Sequence, residues 1–311
     1  MSDLGNSVRC VWCGSQRTSL LTEAIVAPWT VEIDSLKSRK LDTCLLRCLL
    51  CDLQFFTRRY SSSELQLLYS DYRGEKYLTR RRRWEPWYTD ERNHLIGHDR
   101  RVETSRQLAV ESFLLRFLDR GTLLRIVDWG GDEGQFIPQL PNIQFAGVFE
   151  ISGRPVRPGI SSLPSLEQVR DASPNLIMLC HVLEHLTEPR TEFESILSIL
   201  GPGGHLYIEV PLDGHRLRSP TPARLTSLFR SSRVAFILSD FVSQVSRFQF
   251  GWQSRFRLIK QSEHLQFFTL PTIKVIAQEL KLNVLGSFTY SPDKSVGTPE
   301  TLGVLLQKQN S

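Results

Sequence analysis

Hydrophobic and polar positions alternate most regularly in the middle of the chain. Short apolar runs at 123–128, 144–149, 175–180 and 205–210 are bounded by turn residues and read as buried strands. Segments with apolar residues at helical spacing separate them, at 134–140, near 164–170 and at 190–200. Past residue 263 the pattern resumes with a helix at 271–281 and two closing strands at about 283–290 and 301–307. Strands alternating with helices fold into a parallel sheet with helices on both faces. The expected class is α/β and Rossmann-like.

The pattern differs on either side of residue 120. Residues 1–60 suggest a small module with short strands such as 20–26 and 53–56. Residues 61–120 read as a helical connector on the substrate side. Ser61-Ser62-Ser63-Glu64 offers caps for a helix carrying Leu65, Leu67 and Leu68. A longer helix is expected over 102–118, ending at Gly121. The third segment, 121–311, holds the alternating pattern. Residues 212–263 interrupt it with Arg, Ser and Phe and with amphipathic stretches such as 225–241. An insertion after a strand's C-terminal end lies over a ligand crevice in such folds. It reads as a lid or substrate platform, as surface helices, or as a peripheral membrane-touching face.

Composition changes this picture only at the cysteines and the basic residues. Of 311 residues, 41% are hydrophobic and 23% charged, as in ordinary globular chains. The N-terminus has no apolar signal core and no run is long enough to span a bilayer, so a cytoplasmic location is expected. Cys10-Val-Trp-Cys13 and Cys48-Leu-Leu-Cys51 are two C-x2-C knuckles. Each turn sets two thiolates at one edge of a tetrahedron, and two turns close a structural zinc site, with Cys44 as a competing ligand. Cys180 lies in a buried strand run and suggests packing. The net charge of +5 is mild but unevenly spread. Arg80 to Arg83 are consecutive beside Trp84, Trp87 and Tyr88, a pattern that could stack on bases or pack inward. Residues 224–260 hold six arginines and Lys260 against Asp240 alone.

The richest stretch is 125–134, Arg-Ile-Val-Asp-Trp-Gly-Gly-Asp-Glu-Gly. A strand ends in Asp128, a glycine turn follows (Gly130, Gly131, Gly134), and the next strand ends in Glu150. This is the pattern of a nucleotide-binding β-α-β unit, its second acid placed for ribose hydroxyls. Asp132 and Glu133 in the turn would repel a pyrophosphate, and the G-x-G-x-x-G spacing is missing. A ligand with cationic groups and no phosphate fits better, and S-adenosylmethionine (SAM) is one.

Further blocks follow in order: His181-Val-Leu-Glu184-His185-Leu, Leu200-Gly-Pro-Gly-Gly204-His-Leu-Tyr-Ile-Glu209-Val-Pro, and Glu263-His264-Leu-Gln-Phe-Phe-Thr269. Together with the glycine loop and the paired knuckles, they resemble class I SAM-dependent methyltransferases. The resemblance is nearest to the branch with an N-terminal zinc-knuckle module, similar to sugar C-methyltransferases. It covers most of 123–211 and 262–308. It implies a seven-stranded methyltransferase domain, a SAM site at Asp128, Gly130, Gly131, Gly134, Glu150 and Cys180, and zinc on Cys10, Cys13, Cys48 and Cys51. It also implies a small-molecule acceptor such as a nucleotide- or lipid-linked sugar or a glycan precursor, methylated on carbon or oxygen. His181 is the first candidate for the base or enolate partner and His185 the second. The same residues admit a divalent-cation site made by His181, Glu184, His185 and His264. Asp132 stands where the family usually has a third glycine, and Trp129 where a small aliphatic residue is usual. An RNA-modifying enzyme using Arg80–Arg83 and a non-catalytic SAM-fold scaffold are the rival readings.

Overall fold

The computed structural model describes residues 8–31, 41–95, 98–150, 154–212, 232–250, 259–291 and 300–309, with only the backbone of 244–250. In chain order the strands are β1 (Thr18–Val26), β2 (Asp42–Cys48), β3 (Gln54–Phe56), β4 (Leu124–Trp129), β5 (Ile143–Phe149), β6 (Ser161–Ser162), β7 (Leu176–Cys180), β8 (His205–Pro211), β9 (Lys260–Gln261), β10 (Gln266–Phe267), β11 (Leu282–Tyr290) and β12 (Thr301–Lys308). The helices are α1 (Ser62–Tyr69), α2 (Glu75–Trp84), α3 (Asp90–Leu95), α4 (Arg100–Leu114), α5 (Leu166–Asp171), α6 (Pro189–Ile199), α7 (Arg233–Phe250) and α8 (Leu270–Glu279). These elements fall into two compact units, Met1–Gly97 with His215–Gln266 and His98–Gly214 with Phe267–Ser311.

The first unit holds a five-stranded sheet in the order β10-β3-β2-β1-β9. The chain turns tightly between β2 and β3, so β1, β2 and β3 pair antiparallel in sequence. β9 then adds in parallel to β1, with Ile25 opposite Lys260. α1 starts at a capping box in which Ser61 accepts from the Glu64 amide and Glu64 accepts from the Ser61 amide. The core gathers Trp29, Tyr60, Tyr77, Trp84, Tyr88 and Phe236.

Arg81 of the α2 arginine run is drawn into this core. The Arg81 guanidinium lies 3.7 Å from the Tyr88 ring centroid and 4.5 Å from that of Trp29. It also donates to Glu85 at 2.8 Å. Glu85 is 1% exposed and accepts from Trp29 and Lys260 as well. Burial opposes its charge, but Lys260 and Arg81 hold its pKa down at about 2. Arg82 pairs with Asp90 at 2.6 Å. Trp84 and Tyr88 are buried and face inward, while Trp87 is half-buried, its ring centroid 5.8 Å from that of Phe241.

The second unit is a seven-stranded sheet in the order β11-β12-β8-β7-β4-β5-β6. Strands β4 to β8 run parallel, and β12 enters antiparallel between β8 and β11. The strands are near-continuous apolar runs, as a sheet buried on both faces requires. Val110, Phe113 and Leu114 of α4 pack on Ile126, Val148, Met178 and Leu305.

One element differs from the expectation. Residues 134–140 form a bend, a turn and irregular chain rather than a helix. Pro138 disfavours helical geometry at residue 137, leaving too few residues after Gly134 to close turns of helix.

Candidate functional site

The site lies where β4, β5, β7 and β8 end, on the side where open α/β sheets bind ligands. Its parts all belong to the second unit. Asp128, next to last in β4, is fully buried and neither carboxylate oxygen has a hydrogen-bond partner. Burial, only partly offset by Arg106, pushes its pKa up to about 7. A buried carboxylate without a donor is costly unless a ligand supplies one.

The glycine loop packs directly against Asp128. A Cβ on Gly131 would lie 2.5 Å from the Asp128 carboxyl carbon. Gly130 has φ +69° and its added Cβ would meet Val182 at 2.9 Å. Asp132 has φ +52°, a left-handed conformation that glycine adopts freely and aspartate more readily than most residues. The position therefore has the geometry that suits the missing third glycine. The Asp132 side chain pairs with Arg154 at 3.2 Å, and its amide donates to Glu150 Oε2 at 3.3 Å. Trp129 is accommodated by Phe149, its register partner on β5, with ring centroids 4.4 Å apart.

Past β7 the backbone hooks sharply. His181 has φ +57° and its amide donates to Glu209 O at 2.9 Å. Its side chain, about a third exposed, lies between two carboxylates. Nδ1 is 3.3 Å from Glu184 Oε1, and Nε2 is 3.0 Å from Glu209 Oε1. Burial works against the proton, but these two hydrogen bonds overcome it and raise the pKa to about 9. The two flanking carboxylates favour the protonated ring, in which both nitrogens donate.

Glu209 anchors the arrangement. It is fully buried in β8 and accepts from Arg106 of α4 at 2.6 Å and from the Tyr207 hydroxyl at 2.9 Å. Burial alone would raise its pKa, yet Arg106 and His181 hold it well below the usual carboxylate range. Arg106 is missing from the sequence expectations. The signal lies in its position: Val102, Arg106, Val110 and Phe113 share one helix face, and an arginine inside an apolar stripe needs a buried acid. Glu209 within Leu-Tyr-Ile-Glu-Val is its counterpart.

The remaining expected residues are placed as follows. Glu150 follows β5 directly, and Gly134 has φ +80°. His185 is half-buried on a short 3-10 turn, Leu183–His185. Cys180 lies in the apolar core cluster, and burial pushes its thiol pKa well up, so its side chain packs and stays neutral. His264 belongs to the first unit.

Cys10, Cys13, Cys48 and Cys51 converge in the first unit, with all four sulfurs within 4.8 Å of one another. The Cys10–Cys51 and Cys13–Cys48 sulfurs are each 3.6 Å apart. Four thiolates at about 2.3 Å around a tetrahedral zinc would sit about 3.8 Å apart. The donor set and spacing fit that ion. Cys44 lies outside the cluster.

An open α/β sheet of this strand order, with a glycine loop after its first strand, is the class of protein that the fold defines. The family described as "Methyltransferase domain" (Methyltransf_23) matches residues 98–286. The chain belongs to this family and is a SAM-dependent methyltransferase. No curated protein matches the sequence. Among solved structures, it is similar to the N-methyltransferase NodS from Bradyrhizobium japonicum in complex with S-adenosylhomocysteine. That pair shares 16% identity, covering 65% of this chain and 87% of the other at a TM-score of 0.37. It is also similar to the 1,6-didemethyltoxoflavin-N1-methyltransferase of Burkholderia thailandensis, with 11% identity over 72% and 85% of the two chains and a TM-score of 0.43. An O-methyltransferase family protein from Burkholderia thailandensis gives 14% identity over 73% and 64%, with a TM-score of 0.40.

Proposed function

We propose that the protein transfers a methyl group from SAM to carbon or oxygen of a small-molecule acceptor, a sugar nucleotide or glycan precursor. The unpartnered Asp128 carboxylate beside the glycine loop is the observation that carries the cofactor part. It supports a ligand bearing an ammonium group there. Gly130, Gly131 and Gly134 let that ligand approach the backbone, Glu150 takes the ribose hydroxyls, and the end of β7 at Cys180 forms the wall. SAM supplies an electrophilic methyl on a sulfonium.

In this reading the chain's own residues hold the acceptor in line and manage its proton. His181 is held as an imidazolium by Glu184 and Glu209, which supports a role in stabilising a developing enolate or alkoxide rather than in removing a proton. His185, the other imidazole on the same turn, takes the role of base. The sequence blocks at 181–186, 200–211 and 263–269 and the four-cysteine cluster support the sugar-type acceptor. The cluster is read as a structural zinc site, since four thiolates leave no open position. Burial of Trp84 and Tyr88, with Arg81 held over the Tyr88 ring, weighs against RNA as the acceptor.

Calorimetric titration with S-adenosylhomocysteine tests the cofactor part. Micromolar affinity, about −8 kcal/mol, is expected. Absence of heat from folded protein would overturn it. Turnover of keto-sugar nucleotides then tests the acceptor, and turnover of RNA in their place would refute the sugar reading.

A further inference from the structure

α7 carries an apolar stripe on its outer side. Val234, Leu238, Phe241 and Val242 fall at i, i+4, i+7 and i+8 and are 65%, 59%, 49% and 56% exposed. The opposite side is anchored. Phe236 is fully buried against Trp84, and Asp240 is buried and bonded to Lys260 at 2.8 Å. The helix is thus fixed by one face and presents hydrocarbon on the other.

The sequence that flanks it carries charge of one sign. From 215 to 260 the sequence holds nine Arg and Lys against the single acid, Asp240, which is already tied to Lys260. Exposed Arg233 and Arg83 adjoin at the start of α7, where the Arg233 side chain donates to Arg83 O. A second copy of the chain would bring like charges together across an isologous contact. An anionic bilayer complements both the apolar stripe and the charge. No described helix is long and apolar enough to cross a membrane. The contact would be interfacial, with the helix lying in the headgroup plane.

We infer that the outer face of α7 docks on an anionic lipid surface, seating Val234, Leu238, Phe241 and Val242 at the acyl boundary with Arg233 and Arg83 against the headgroups. The test is co-sedimentation of the full chain with phosphatidylcholine vesicles, with and without phosphatidylglycerol, at low and high salt. Binding is expected only to the anionic vesicles and should weaken with salt. The double variant Leu238→Glu, Val242→Glu lies on the solvent side. It should keep the thermal unfolding profile and lose about tenfold in bound fraction. Charge reversal at Arg233→Glu gives a second, independent readout and should weaken binding as well. No binding to anionic vesicles, or binding that neither variant changes, would overturn the inference. So would self-association in solution that the double variant abolishes, which would assign the face to a second copy.

Discussion

Replacing Arg106 with methionine removes the charge but keeps much of the side-chain length, and so isolates what the ion pair contributes. Arg106 and Glu209 are 2% and 0% exposed and 2.6 Å apart. Removing one partner of such a buried pair costs about 3–5 kcal/mol, because the other charge is left uncompensated. Glu209 would retain two donors, His181 at 3.0 Å and the Tyr207 hydroxyl at 2.9 Å. The expected loss therefore lies at the lower end, about 3 kcal/mol. For a unit of this size that corresponds to a fall in Tm of about 6–12 °C. Guanidinium unfolding of Arg106→Met, Glu209→Gln and the double variant gives the coupling directly. The double variant should be more stable than the sum of the single losses predicts, by about 1–3 kcal/mol. Strictly additive losses, or a single-variant loss below about 1 kcal/mol, would show that the pair does not hold α4 to β8 as described.

Cofactor affinity should rise with pH through about 7, because Asp128 must ionise to meet an ammonium group and its pKa is pushed up to that value. Titrations of Asp128→Asn against pH should be flat across that range, and a wild-type slope surviving in the variant would remove Asp128 from the site. His181 should contribute stability that is fully present below about pH 6.5 and is lost as the pH climbs through about 9, since its folded pKa is the raised one. His181→Gln should flatten the unfolding free energy across that window, and an unchanged alkaline slope would place the titration elsewhere. Purified protein should carry one zinc per chain by elemental analysis, and Cys48→Ser should release it and destabilise the first unit. Full stability in the presence of a strong chelator would refute the zinc assignment.

Much of the second unit could be read from its sequence because parallel strands buried on both faces are apolar runs that need little context. The glycine loop was legible for a similar reason, since backbone that approaches a ligand excludes side chains. The helix expected at 134–140 failed because the apolar spacing of Phe136, Ile137 and Leu140 outweighed Pro138 in the reading, whereas the backbone obeys the proline. The His181 environment was not legible. Its protonation depends on Glu209, which lies on a neighbouring strand, and on Arg106, which reaches Glu209 from a helix far back in the sequence. The arginine run kept two meanings open for an equivalent reason. Stacking outward and packing inward share one spacing, and only Trp29 and Glu85 closing around Arg81 decide between them.

The pairing of β1 with β9 has a consequence for biosynthesis. The first unit joins distant parts of the sequence: Ile25 meets Lys260, the Tyr60 hydroxyl donates to Ser262 O, and the Phe56 amide donates to Leu265 O. Glu85 likewise waits for the Lys260 ammonium. During synthesis the nascent module must stay open while more than half of the chain emerges, with its antiparallel strands formed but both sheet edges bare. Such long-range closure is slow and leaves edges exposed to other chains. Binding of metal by the early knuckles would then act as a temporary clasp, holding β1 to β2 until the distant strands arrive.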